Sequence, residues 1–205
     1  MRARLGVLFS GGGRTVENLA RKIVEGSLQA EIAVAISSHA NAGGIARAQR
    51  FDIPTETLDY RQLEGDLCER ICERLVEADV DWIVLAGFIR HFRFPDRWRE
   101  RVLNIHPSLL PSFGGKGFYG ERVHRAVLES GARFSGCTVH IVTDEYDRGP
   151  IVLQRVVPVL DDDTTDSLAA RVFAEECIAY PEAISLCLAG KIVFENGRAR
   201  ISSDR

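Results

Sequence analysis

The 205 residues, 45% of them hydrophobic, suffice for one substantial core, and a net charge of −3 gives no global reason to expect nucleic acid. No apolar run reaches membrane-spanning length, and the N-terminus enters Leu5–Phe9 without a signal-peptide layout, so a cytoplasmic protein that avoids the membrane is expected. The five cysteines, Cys68, Cys72, Cys137, Cys177 and Cys187, lack paired Cys-x-x-Cys elements and a nearby histidine, which predicts reduced, packed thiols and no metal.

In chain order, Leu5–Phe9 predicts a buried strand, Ser10-Gly11-Gly12-Gly13 a turn, and Val16, Leu19, Ala20, Ile23 and Val24 a helix closed by Gly26. Ile32–Ile36 predicts a second strand, followed by a polar loop from Ser37 to Asn41 and a short helix from about Gly44 to Phe51. Ile53–Leu58 reads as a weaker strand. Leu67, Ile71, Leu75 and Val76 mark an amphipathic helix, and Trp82–Ala86 a strand buried on both faces, as in parallel sheets. This alternation predicts an α/β fold, a doubly wound, mostly parallel sheet with right-handed crossovers.

An arginine-rich short helix is expected before Val102–His106, and a glycine-rich connection, Gly114–Gly120, before a helix through Val123, Ala126, Val127 and Leu128. Ser135–Val142 and Ile151–Pro158 alternate and predict an antiparallel pair around the loop Thr143–Pro150. Asp161–Thr165 starts a helix expected to reach about Ala189 with a kink at Pro181, and Asn196-Gly197 turns a final hairpin.

The chain is organised around Val102-Leu103-Asn104-Ile105-His106. Extended backbone puts Asn104 and His106 on one face, and Pro107 stops the strand directly after them. An amide and an imidazole are thereby presented at a strand's carboxyl end, the edge where open α/β sheets bind ligands. Chemistry is favoured over a merely structural pair of caps.

The glycines at 11–13 let backbone approach an anion at a helix start, with Arg14 and Thr15 adding a cation and a hydroxyl. A dinucleotide fits less well than a phosphomonoester, because Val16 stands where the fingerprint has glycine and Ser37 and Ser38 where it has an acid. A tight turn with no ligand is the alternative. In the loop Thr143–Pro150, Asp144, Glu145 and Asp147 are the candidate carboxylates; one placed near His106 would raise its pKa and favour the cation. His140 reads first as a hydrogen-bonded core histidine and second as a support for the site.

Ser10-Gly11-Gly12-Gly13, Leu85–Arg90, Asn104-Ile105-His106-Pro107-Ser108-Leu109-Leu110-Pro111 and Asp147–Ile151 resemble, in order, the motifs of the folate-dependent phosphoribosylglycinamide formyltransferase family. The resemblance reaches Ala179-Tyr180-Pro181. It implies a Rossmann-like formyltransferase fold with an antiparallel C-terminal part. It further implies a single domain over residues 1–205, with a phosphate-binding half at about 1–100 and a folate and catalytic half at about 101–205. By the same resemblance Asn104, His106 and Asp147 are catalytic, and 10-formyltetrahydrofolate is a cosubstrate held by Arg61, Ile89, Arg90, His91, Phe92, Asn104 and Thr143, Asp144, Glu145, Tyr146 and Asp147. Gly11, Gly12, Gly13, Arg14, Thr15 and Glu176 bind the phosphorylated amine.

The chain departs from the family at Gly12-Gly13-Arg14-Thr15, where Gly-Ser-Asn is common after the first Ser-Gly-x; at Phe173, where a polar residue can stand; and in the length of Gly114–Gly120. The expected chemistry is attack by the substrate amine on the formyl carbon, with cationic His106 and Asn104 donating to the oxyanion and Asp147 holding the imidazolium. Expected partners are small molecules, with neither nucleic acid nor membrane, for a monomer or homodimer. Rival readings are hydrolysis of the formyl-folate, transfer to another amine, and a non-catalytic phosphate- or folate-binding module. The first two are disfavoured by the lack of room for the extra domains such enzymes carry. RNA binding through Arg90, Arg93, Arg97, Arg99 and Arg101, with Phe92, Phe94 and Trp98 interleaved, is a weaker idea than a solvated face.

Overall fold

The computed structural model describes residues 2–202 and divides into two compact units, one ending at Leu103 and one starting at Asn104. The first carries β1 (Ala3–Phe9), α1 (Arg14–Val24), β2 (Ala30–Ser37), α2 (Gly43–Gln49), β3 (Thr55–Thr57), α3 (Leu67–Glu77) and β4 (Trp82–Leu85). β1 pairs in parallel with β2 and β4, and β2 with β3. Leu5, Val7, Leu8 and Phe9 are all fully buried, so both faces of β1 are covered, as the uninterrupted apolar run requires. Asp66 caps α3 by accepting from Cys68 N and Glu69 N at 2.8 and 3.1 Å.

Two expectations contract here. The weak strand over Ile53–Leu58 keeps only Thr55–Thr57. The arginine-rich stretch makes a single 3-10 turn, Asp96–Trp98, because Pro95 is extended before it and Glu100 takes a φ of 62° after it.

The second unit holds Asn104–His106 of β5 (Val102–His106), then α4 (Glu121–Glu129), β6 (Phe134–Ile141), β7 (Ile151–Pro158), α5 (Thr165–Leu188) and the hairpin of β8 (Ile192–Glu195) and β9 (Arg198–Ile201). The strand order is β3-β2-β1-β4-β5-β6-β7, and β6 and β7 run antiparallel. The sheet is therefore mostly parallel with an antiparallel C-terminal part, the expected fold class.

Thr164, not the preceding aspartates, is the N-cap of α5. Its hydroxyl accepts from Ser167 N at 3.2 Å while Ser167 Oγ accepts from Thr164 N at 2.9 Å, a reciprocal capping box. Asp163 pairs with Arg171, eight residues on. α5 continues through Pro181, and Asn196 and Gly197 both take positive φ, as a two-residue hairpin turn demands. No helix of the described residues is long and apolar enough to cross a membrane.

Candidate active site

The second unit builds the polar cluster from the end of β5, from β6 and from the loop before β7. Past Pro107 the chain is pinned to β6 by one hydroxyl: Thr138 Oγ1 donates to Ser108 O at 2.7 Å and accepts from Leu110 N at 3.0 Å and Gln154 Nε2 at 2.9 Å. Ser108 Oγ donates to Ser112 O at 2.6 Å, and the Leu110–Pro111 peptide is cis. Asp147, at a φ of 55°, is held by the chain just after it. Gly149 packs so closely on β6 that an added Cβ would lie 1.8 Å from the Ile141 carbonyl oxygen, and Ile141 N donates to Pro150 O at 2.9 Å.

Asn104, His106, His140 and Asp147 come together. His106 Nε2 lies 2.9 Å from Phe113 O, and because a carbonyl only accepts, that nitrogen carries a proton. His106 Nδ1 is 3.6 Å from Asp147 Oδ2. Asp147 Oδ2 also accepts from Gly115 N at 2.8 Å. His140 Nδ1 faces its neighbour Ile141 O at 2.9 Å and so donates; its Nε2 lies 3.1 Å from Asn104 Nδ2 and 3.5 Å from Asp147 Oδ1. His140 is thus both a core histidine and the partner of two candidate catalytic side chains. Only its parity with Thr138 on β6 signals this in the sequence.

Burial sets the charges. His106 is 4% exposed, and desolvation pulls its pKa below the ordinary 6.5 despite the opposing pull of Asp147 and the Phe113 carbonyl. This corrects the expectation that a nearby carboxylate makes His106 cationic: at neutral pH the resting ring is neutral, with its proton on Nε2. Burial also pushes the Asp147 carboxyl upward, but His140, His106 and the Gly115 N–H outweigh it, leaving Asp147 below the usual carboxylate value and ionised. The pair accordingly has a vacant place for one proton, on Nδ1.

Of the other residues implied for folate, Thr143, Asp144, Glu145 and Tyr146 are exposed around Asp147 in the second unit, and Thr143 Oγ1 donates to Glu145 O at 3.3 Å. Glu176 lies partly exposed on α5, as does Phe173. With burial as the larger cause, the Glu176 charge helps push the Cys137 thiol up to about 12. The five cysteines are free, and among the described residues no group of His, Cys, Asp and Glu is arranged to hold a metal ion.

In the first unit Gly13 is the N-cap of α1 at a φ of 75°, and an added Cβ would lie 2.2 Å from the Gly44 Cα. The turn is therefore built for close backbone approach: Gly44 N donates to Gly11 O at 3.1 Å and Glu17 N to Gly13 O at 3.0 Å. Gly11, Gly12 and Arg14 are exposed and Thr15 is partly so. Ser10 ties the turn to the stretch after β4, its N donating to Gly87 O at 3.1 Å and its Oγ accepting from Ile89 N at 3.2 Å. Ile89 is 51% exposed, Phe92 is buried, and His91 O accepts from the Cys68 thiol at 3.4 Å. Arg90 and Arg61 both meet Tyr60.

The family model described as "Formyl transferase" matches residues 3–184. The chain is 39% identical over 198 residues to "Phosphoribosylglycinamide formyltransferase, chloroplastic" of Vigna unguiculata, covering 94% of this chain and 63% of that one. It is 38% identical over 195 residues to "Trifunctional purine biosynthetic protein adenosine-3" of Gallus gallus, covering 93% of this chain and 19% of that one. The chain thus spans less than two thirds of the length of either relative. Among solved structures, glycinamide ribonucleotide transformylase 1 from Symbiobacterium toebii superposes with a TM-score of 0.92 at 41% identity, covering 98% of this chain and 95% of that one.

Proposed function

Because the chain belongs to the formyl transferase family, we propose that it transfers the formyl group of 10-formyltetrahydrofolate to the amine of glycinamide ribonucleotide in purine synthesis. The observation that carries this reading is the placement of the Asp147 carboxylate 3.6 Å from His106 Nδ1 and 3.5 Å from His140 Nε2, with the Asn104 amide on the same His140 nitrogen. The names of the relatives support the acceptor.

Neutral amine is already a nucleophile, so no covalent enzyme intermediate is needed. Its nitrogen attacks the formyl carbon, the carbonyl becomes an oxyanion, and an Asn104 N–H donates to it. The proton that the amine sheds enters the vacant place on the His106–Asp147 pair. The resulting imidazolium is held by Asp147, and its positive charge offsets the negative charge of the tetrahedral intermediate. Collapse breaks the bond to the folate nitrogen, which leaves with that proton, and the pair returns to its resting state. The glycine turn at residues 11–13, with Arg14 and Thr15, takes the phosphate of the acceptor, and Glu176 its other polar groups. Ile89 to Phe92, Arg61 and the loop Thr143–Asp147 take the folate.

Both substrates are small molecules in this reading, which keeps the cytoplasmic location and a monomer or homodimer; cell fractionation and sedimentation test these. The defining experiment gives purified protein formyl-tetrahydrofolate with and without glycinamide ribonucleotide and follows loss of the donor. Loss only with the amine supports transfer, loss without it means hydrolysis, and no loss means a binding module.

A further inference from the structure

Within the first unit, one buried sulfur meets the peptides on both sides of Phe92. Cys68 lies in the first turn of α3, and its Sγ donates to His91 O and accepts from Arg93 N, each at 3.4 Å. One turn on, the same face of α3 presents Cys72, whose Sγ lies 3.8 Å from Arg93 O. Burial, with the neighbouring Cys68 second, pushes the Cys72 thiol up to about 11, so it keeps the proton that it donates to that carbonyl. The Asp66 carboxylate that caps α3 adds a further tie by pairing with the Arg93 guanidinium. The stretch from Ile89 to Arg93 is therefore fastened at both ends. At one, Ile89 N donates to Ser10 Oγ at 3.2 Å; at the other, the α3 sulfurs hold residues 91 and 93 while the buried Phe92 ring between them packs edge-on against Phe88 at 6.1 Å between centroids. A hydroxyl in place of the Cys68 thiol would not do the same, because its hydrogen bonds close at about 2.7–3.0 Å, inside the distance that sulfur spans here.

We propose that Cys68 is a positioning residue for the formyl donor: its sulfur fixes the backbone path of residues 89–93 on which the folate is received, with Cys72 as a weaker second fastening. This rests on the reading above, in which Ile89 to Phe92 take the folate. Cys68 and Cys72 lie outside every motif that carries the resemblance, and their role follows from the sulfur contacts alone.

The test measures binding of tetrahydrofolate and of glycinamide ribonucleotide by calorimetry on the whole protein, together with hydrogen exchange at the Arg93 amide. Cys68→Ala is expected to weaken tetrahydrofolate about three- to tenfold, the worth of one or two weak hydrogen bonds, to leave the ribonucleotide unchanged and to speed exchange at Arg93. Cys187→Ala, which removes another buried thiol, should change neither affinity. Should the alanine variant fail to fold, Cys68→Ser carries the same comparison and is expected to shift folate affinity in the same direction. A merely structural Cys68 would weaken both ligands equally. That result, a like loss in Cys187→Ala, or faster exchange at Arg93 with folate affinity unchanged overturns the positioning role. Selective loss of folate affinity without any formyl transfer by the wild type would instead leave that role standing and sink the proposed reaction.

Discussion

The two units handle charge in opposite ways. Around Tyr60 in the first, cations stand at or near the surface and are ordered by a ring, a hydroxyl and backbone amides, so water and geometry share control. Around His106 in the second, three titratable groups are largely withdrawn from water, with side-chain exposures of 5% for His106, 2% for His140 and 12% for Asp147. Desolvation there is strong enough to reverse the protonation that a neighbouring carboxylate would otherwise impose. A buried pair kept one proton short is poised for proton transfer, while arginines that reach the surface beside a ring are suited to holding a ligand.

The largest expected effect strikes the buried side. Asn104→Ala, which removes an oxyanion donor, and His106→Ala, which removes the proton carrier, should each lower kcat by about 10²–10³ with folding retained, and Asp147→Asn on the order of 10² because no carboxylate remains to hold the imidazolium. Near-normal turnover in the purified variants would break the contrast between the units. Next comes Gly149→Ala, where a new Cβ meets the Ile141 carbonyl. Overpacking of this kind should cost about 1–3 kcal/mol in a urea titration and misplace Asp147. An unchanged midpoint would show that the loop is not held as described.

Acid should sharpen the comparison further. The folded pKa of His106 is depressed below 6.5, so its contribution to stability is complete above that value and is lost as pH falls through the folded value. Asp147, depressed below 3.8, contributes above that value and loses its share at still lower pH. Urea midpoints measured from pH 7.5 to 5 should therefore fall more in the wild type than in His106→Gln; equal slopes would assign the loss elsewhere. The smallest effect is at the surface: Thr164→Ala removes the cap of α5 and should cost about 1 kcal/mol without touching the pH profile.

Much of this was legible because local rules and tertiary structure agree. Pro107 stops β5 where the sequence says it must, Asn196-Gly197 turns the hairpin, and the alternation of apolar runs gives the parallel part of the sheet. What escaped depends on distance along the chain. His140 lies 36 residues from Asn104, and nothing local marks it as that residue's partner. The charge of His106 depends on how completely the fold excludes water, which a nearby carboxylate in a loop does not reveal. The 3-10 turn at Asp96–Trp98 shows the reverse case, in which flanking backbone at Pro95 and Glu100 overrules a helical composition.

The most direct test of the account is an NMR titration of the His106 ring nitrogens in the unliganded protein. The structure predicts a neutral ring at pH 7 with the proton on Nε2 and a midpoint below 6.5. An imidazolium still present at pH 7 would mean that Asp147 prevails over burial, contradicting the vacant proton place on which the proposed transfer depends.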